Sequence, residues 1–153
     1  SIGSAIWHLA QHPNDLARFR DDPEVRPFAV EEFLRAYAPV TMARMVAEDH
    51  ELQGCPMKKD DWLLLPFPAG NRDPEAFEDA DKFVIDRQKN RHFAFGIGIH
   101  RCLGSNVARM EMKVAIETWL DRFPTFELAE EAEVRWGGAQ VRGPREVPVT
   151  LHP

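Results

Sequence analysis

Cysteine is scarce in this sequence, and it contains neither a recognisable signal peptide nor a long apolar run. The two cysteines among 153 residues, Cys55 and Cys102, lie far apart in unlike surroundings. This favours free thiols in a reducing cytoplasm over a disulfide framework. No apolar run approaches the roughly 18 residues that cross a membrane. The sequence therefore predicts a cytoplasmic protein with no membrane contact.

Excess positive charge is also missing. The 25 Asp and Glu residues outnumber the 19 Lys and Arg residues, and the formal net charge is −6. Because the basic residues are scattered among acidic ones, they form no stripe that could follow a phosphate backbone. The length, with 44% hydrophobic residues, is enough for one domain with a core. We therefore predict one globular unit that binds no nucleic acid.

Helical and strand-like patterns occupy different parts of the chain. Apolar residues recur at helical spacing before Pro39, and short extended runs broken by Gly54 and Pro56 follow it. The predicted segments are helices over 1–37, strands and hairpins over 41–65, an irregular segment over 66–94, a loop over 95–104, a long helix over 104–122 and strands over 123–153. This order predicts a mainly α fold with small β-sheets, in the α+β class.

The loop FGIGIHRCLG, residues 95–104, places one of the two cysteines among three glycines. Its glycine spacing does not fit a dinucleotide fingerprint, and the local ligands are too few for zinc or an iron–sulfur cluster. Two other interpretations stay open, a cysteine nucleophile activated by His100 and a buried structural cysteine. A third is a thiolate ligand, because free amides and the helix dipole after Cys102 favour negative charge. Glycines also let a large flat ligand approach the backbone.

The loop resembles the haem-binding signature of the cytochrome P450 family at every defining position. The matching residues are Phe95, Gly96, Gly98, His100, Cys102 and Gly104. The resemblance implies haem b, iron protoporphyrin IX, as the cofactor.

The resemblance also assigns roles around that haem. It makes Cys102 the proximal iron ligand and Phe95 the residue that shields its sulfur. His100 would reach a propionate, and Ala108 would lie against the porphyrin. Arg44, on a short strand, would meet a second propionate, although a lone arginine at a strand edge is also commonly just solvated. Gly96 and Gly104 complete the predicted cofactor-binding set.

An acidic residue interrupts the apolar stripe of the third predicted helix. Glu32 and Arg35 lie one turn apart and can form an ion pair, which burial would make obligatory. The alternative is a solvated pair of little energetic value. In the family, this Glu-x-x-Arg pair is structural and ties the helix to the irregular segment. A third partner, an arginine before a phenylalanine, is replaced here by Lys82 before Phe83, so the third contact is in question.

The connection after this helix is the predicted substrate pocket. The resemblance places Val40, Thr41 and Met42 above the haem, where they would contact an apolar small molecule. Ordinary core packing is the alternative for each of them.

The long helix carries two apolar stripes, and both are expected to be buried. They consist of Val107, Met110 and Val114, and of Met112, Ile116, Trp119, Leu120 and Phe123. Arg101, Arg109 and Lys113 form a basic patch that could steer an acidic electron donor, a ferredoxin or a flavoprotein. A solvated basic face is the alternative. No role is assigned to Cys55, expected as a small buried or turn residue in a hairpin, nor to His8, His12, His50, His92 and His152.

The resemblance covers only the C-terminal portion of a single cytochrome P450 domain. The acid or amide and the threonine that activate dioxygen in the family are not in the sequence, so no catalytic residue is assigned and an exposed apolar surface is expected. The implied parent enzyme is a haem-thiolate monooxygenase that inserts one oxygen atom into an apolar small molecule, with this chain as its proximal haem-binding half. The alternatives are a non-catalytic fragment that binds haem weakly or not at all, and a cysteine-dependent hydrolase.

Overall fold

Three helices open the fold in the computed structural model, which describes residues 1–152. They are α1 (Ile2–Leu9), α2 (Pro13–Asp21) and α3 (Arg26–Ala36). Proline lies in the first turn of α2 and of α3, where its missing N–H has no intrahelical partner to lose. A four-residue helix, α4 (Phe67–Gly70), and the long α5 (Ser105–Arg122) follow later in the chain. Within residues 1–152, the structure has no helix that is both long enough and apolar enough to span a bilayer.

Within residues 1–152, eight short strands form four two-stranded antiparallel sheets. The pairs are β1 (Thr41–Met45) with β4 (Trp62–Pro66), β2 (His50–Leu52) with β3 (Cys55–Met57), β5 (Thr125–Leu128) with β8 (Val149–His152), and β6 (Trp136–Gly137) with β7 (Gly143–Pro144). The helices and small sheets together agree with the predicted α+β class.

A hairpin, β2 and β3, is inserted between the paired strands β1 and β4. Its turn residues Gln53 and Gly54 both have positive φ, 48° and 80°, as a two-residue turn of type I′ requires. Cys55 follows this turn and is an exposed free thiol. The expectation of a hairpin is therefore right, but Cys55 is not buried.

The core lies where α1, α2, α3 and α5 meet. Phe19, Ala29, Phe33 and Ile116 are almost completely excluded from solvent. Only one of the two predicted stripes of α5 contributes, through Met112, Ile116 and Leu120.

The other stripe of α5 was expected to be buried, and this expectation is wrong for the chain described. Val107, Met110 and Val114 are each more than half exposed, at 52%, 59% and 54%. The reason is that the elements within residues 1–152 pack on the opposite side of the helix.

A buried ion network, formed by Glu32, Arg35 and Arg87, ties α3 to the irregular segment. Glu32 and Arg35 are both 0% exposed, and Nε and Nη2 of Arg35 each donate to the Glu32 carboxylate at 2.8 Å. Arg87 donates from Nε to both carboxylate oxygens, at 3.1 and 3.2 Å. The remaining Arg35 donors reach the carbonyl oxygens of Asn71, Ala80 and Lys82. The predicted Glu32–Arg35 pair is thus part of a larger structure.

The prediction about the third partner requires a correction. The position of Lys82 before Phe83 suggested that the third contact had lost its arginine. In the structure Lys82 points its ammonium group at the exposed carboxylate of Asp79, and only its backbone carbonyl meets the network. Arg87, four residues after Phe83, supplies the third charged side chain.

Two histidines without an assigned role are structural. His8 is buried, with Nε2 2.8 Å from the Asp15 carboxylate and Nδ1 2.7 Å from the Tyr37 hydroxyl. Because a carboxylate only accepts, Nε2–H donates to Asp15 and the Tyr37 O–H donates to Nδ1. Burial lowers the pKa of His8, which is consistent with this neutral tautomer. The second histidine, His92, belongs to the site described next.

Candidate haem-binding site

The cysteine loop is held by its own backbone. The Cys102 N–H donates to the Phe95 carbonyl at 2.8 Å, and the Gly96 N–H donates to the Phe93 carbonyl at 2.8 Å. Between these bonds, Gly96 and Gly98 adopt φ values of 72° and 66°, which L-residues with side chains rarely adopt. Two of the three glycines are therefore needed for the loop to turn.

The sulfur of Cys102 lies beside the start of α5. An ideal Cβ added to Gly104 would be 3.9 Å from this Sγ atom, which is an ordinary contact, and the φ of Gly104 is −79°. The structure therefore gives no steric reason for glycine at position 104. Cys102 itself is a free and exposed thiol.

An apolar cavity of about 830 Å³ opens beside this thiol. Seven predicted site residues line it, namely Val40, Met42, Arg44, Phe95, Gly96, His100 and Cys102. Three others, Thr41, Gly104 and Ala108, are not part of its lining within residues 1–152. For Thr41 the reason is the pleat of β1, because successive side chains of a strand point to opposite faces.

One wall of the cavity was missed by the sequence interpretation. It comes from the end of β4, from α4 and from the approach to the loop, and includes Leu65, Phe67, Gly70 and Phe93. Phe67 and Phe93 meet edge to face with ring centroids 5.6 Å apart. A Cβ on Gly70 would overlap the Phe93 ring, so glycine is required there for close packing. The signal in the sequence is the apolar run LLLPFPAG, residues 63–70, which crosses the boundary between the predicted strands and the predicted irregular segment.

Two groups that can bind carboxylates share this cavity with the thiol, Arg44 and His100. The Arg44 guanidinium donates from Nη1 to the neighbouring Ala43 carbonyl at 2.8 Å, and no carboxylate within residues 1–152 forms a salt bridge with it. The donor set is therefore one soft sulfur, an apolar wall and two groups suited to acidic substituents. The volume of the cavity lies within the usual range for ligand pockets, roughly 300–1,000 Å³. These residues fit a haem group.

A second cluster, the Glu31 network of Glu31, His92 and Arg109, lies outside the lining of this cavity. Arg109 donates to Glu31 through Nε at 2.6 Å and through Nη2 at 2.9 Å, and His92 approaches the same carboxylate through Nε2 at 2.9 Å. Arg109 was predicted to belong to a basic patch with Arg101 and Lys113. In the structure its charge is matched by the Glu31 carboxylate, 78 positions earlier, so its role in such a patch stays a prediction.

The pKa of the Glu31 carboxylate is strongly lowered. Burial alone would raise its pKa, but the hydrogen bonds from His92 and Arg109 outweigh burial and lower the pKa of Glu31 from 4.5 to about 2. The ionised form therefore stabilises the folded chain fully above pH 4.5, and this contribution is lost as the pH falls towards 2.

We expect Glu31→Gln to reveal this pH dependence. The variant lacks the charge at every pH, so the difference in free energy of unfolding between it and the wild type should shrink as the pH falls from 4.5 towards 2. Urea unfolding at several pH values measures it. Glu133→Gln, which removes an exposed carboxylate 3.7 Å from Arg135, is the matched control. A Glu31→Gln difference that stays constant over this range would contradict the prediction.

Comparison with known proteins assigns this structure to the haem-thiolate class. The family model described as Cytochrome P450 matches residues 27–135. The chain belongs to the cytochrome P450 family, whose members bind haem b.

Several relatives are similar over nearly the whole chain. The polyketide biosynthesis cytochrome P450 PksS of Bacillus subtilis is 38% identical over 98% of this chain, and its solved structure matches with a TM-score of 0.94, covering 99% of this chain and 40% of that chain. The biotin biosynthesis cytochrome P450 of Bacillus subtilis is 39% identical over 98% of this chain and 38% of its own length. A structure of P450BioI in complex with an acyl carrier protein that carries hexadec-9Z-enoic acid has a TM-score of 0.90 at 39% identity, over 99% of this chain and 40% of that chain. The chain spans about 38% of the length of these curated relatives.

Proposed function

We propose that the chain carries the proximal haem-binding part of a haem-thiolate monooxygenase, with Cys102 as the axial ligand of the iron. The observation that supports this most directly is the cavity in which the thiol, Arg44 and His100 come together. When bound, the haem supplies the redox chemistry that activates dioxygen. Cys102 would hold the iron through a charged sulfur and donate electron density to it.

The other residues of the cavity would bind and orient the haem. Arg44 and His100 would each donate hydrogen bonds to a propionate, and Phe95 would cover one side of the sulfur. Gly96 would let the backbone approach the porphyrin. Ala108 is not part of the cavity lining, so its proposed contact with the porphyrin has less support from the geometry than that of the other residues.

The substrate proposal is an apolar small molecule above the haem. Val40 and Met42 line the cavity and are the proposed contacts, whereas Thr41 is not part of the lining. Relatives support the apolar class, because the structures include one complex with a fatty acid on its carrier protein and one with testosterone.

The proposed electron donor is a ferredoxin or a flavoprotein that docks next to the cysteine loop. Arg101 and Lys113 are exposed and would attract an acidic partner. Because Glu31 neutralises Arg109, we expect Arg109 to contribute little to this attraction. The cytoplasmic location stays a prediction that accords with such a partner.

A spectrum of the haem-loaded protein tests the function. The protein, produced with any sequence that adjoins the chain naturally, is mixed with haem, reduced and exposed to carbon monoxide. We expect the red-shifted Soret band of thiolate ligation. If haem added in excess leaves the spectrum silent, the proposal fails in favour of a non-catalytic fragment. Labelling of Cys102 by an electrophile in step with ester turnover, without haem, would instead indicate a cysteine hydrolase.

A further inference from the structure

We propose that the Glu31 network positions Phe95 and, through it, the Cys102 sulfur, so that Glu31 and Arg109 are positioning residues for the haem thiolate. This inference rests on the proposed function. It concerns residues that do not line the haem cavity but line a second cavity, which shares Phe95 with it.

The first step is that the network joins three separate parts of the chain. Glu31 lies on α3, His92 precedes the loop, and Arg109 lies in the second turn of α5. The side chains are 30%, 1% and 25% exposed, so the pairs are better shielded from solvent than a surface pair such as Arg18–Asp86. A bidentate arginine–carboxylate pair also fixes orientation, which a single contact does not. The network therefore holds both ends of the loop against α3.

The second step concerns the imidazole, which has a defined hydrogen-bonding role. The Ala94 N–H donates to Nδ1 of His92 at 3.2 Å, so Nδ1 is an acceptor and Nε2–H donates to Glu31. His92 thus links the Glu31 carboxylate to the backbone next to Phe95. The segment that enters the loop is tied down one residue before the aromatic ring.

The third step links the network to the thiol. The Arg109 guanidinium carbon lies 4.8 Å from the centroid of the Phe95 ring, within cation–π distance. Phe95 lines both the haem cavity and the 350 Å³ cavity that contains Glu31, His92 and Arg109. Its carbonyl accepts the Cys102 N–H at 2.8 Å. A shift of Phe95 would therefore move the backbone that carries the sulfur.

The charges of the network decide what kind of effect to expect. Arg109 is matched by Glu31, so the pair adds no net positive charge beside the thiol. Its contribution to the site is orientation, and removal of either partner should loosen Phe95. Outer residues that orient a metal ligand typically affect metal affinity or activity by 10–100-fold.

The test uses the haem-loaded protein and the variants Glu31→Gln and Arg109→Lys. Glutamine keeps the shape of residue 31 without its charge, and lysine keeps the charge of residue 109 without its planar fork. Arg91→Gln is the matched control, because Arg91 lines the same 350 Å³ cavity but makes no side-chain hydrogen bond or salt bridge with residues 1–152. The reduced carbon monoxide complex is followed over time in each protein, and the reduction potential is measured in the same samples.

We expect the thiolate-type Soret band of Glu31→Gln and of Arg109→Lys to convert about tenfold faster to the blue-shifted band of a lost or protonated thiolate. The Arg91→Gln control should match the wild type. Thermal unfolding gives the melting temperature of each protein, so the conversion rates can be compared at the same number of degrees below it. If the network had only a structural role, the rates compared in this way would be equal. Equal rates would overturn the inference while leaving the proposed function intact. A wild type without any thiolate-type band would overturn the proposed function itself.

Discussion

Replacement of Cys102 by alanine is expected to abolish the red-shifted Soret band of the reduced carbon monoxide complex. The physical reason is that a thiolate raises the electron density on the iron, and an alanine side chain has no atom that can replace this bond. Haem affinity should also fall, because the cavity would keep its apolar wall, Arg44 and His100 but lose the metal bond. Haem titration and the difference spectrum measure the two effects separately.

The second cysteine provides the control for this experiment. Cys55 is also an exposed free thiol, but it lies on the β2–β3 hairpin and is not part of the cavity lining. Cys55→Ala should keep both the band and the haem affinity. If the band survives in Cys102→Ala and disappears in Cys55→Ala, Cys102 is not the ligand.

Replacement of Arg87 by leucine is expected to lower the free energy of unfolding by about 3–5 kcal/mol, because it leaves the buried Glu32 carboxylate without one of its two arginines. Lys82→Leu should cost no more than about 1 kcal/mol, because the Lys82 ammonium belongs to an exposed pair with Asp79. Urea unfolding of the two variants and the wild type measures both values.

These two variants distinguish the structure from the expectation based on sequence order. The sequence has Lys82 where the family usually has the arginine of the third contact, which left that contact in question, and the structure gives the contact to Arg87. Equal losses of stability in both variants would show that the buried network does not depend on Arg87. A larger loss for Lys82→Leu would contradict the observed pairing.

Periodic patterns explain which parts of the structure were predictable. The helical spacing around Glu32 and Arg35 predicts a pair on one face, and the structure contains that pair. The mixture of helices with short strands was also recognisable, because the period of the apolar residues changes after Pro39. The glycine-rich loop before α5 was distinctive because its residue types stand at fixed spacing.

Partners from irregular segments were not predictable in the same way. Arg87 lies in a stretch without helical or strand period, so its distance from Glu32 depends on how the whole segment folds. Asn71 lies in the same irregular segment, and it is fully buried and accepts hydrogen bonds from Arg35 and from the Phe93 N–H. The basic patch was predicted from Arg109 and Lys113, which lie on the same helix, whereas the partner of Arg109 is Glu31 on α3. Local spacing carries no information about contacts of this range.

The hydrogen-bond partners of Glu32 have a consequence for cooperativity. Besides Arg35, they include Val84, Arg87 and Asn90, which follow Glu32 by 52 to 58 positions. Before residues 84–90 have folded against α3, this helix cannot bury its apolar side without also burying the Glu32 carboxylate with too few hydrogen-bond donors. The chain must therefore lose the conformational entropy of closing this long loop before the core is complete. Partial disruption of residues 84–90 should therefore destabilise the packed helices α1, α2, α3 and α5. We expect these helices and this stretch to unfold together in a single transition.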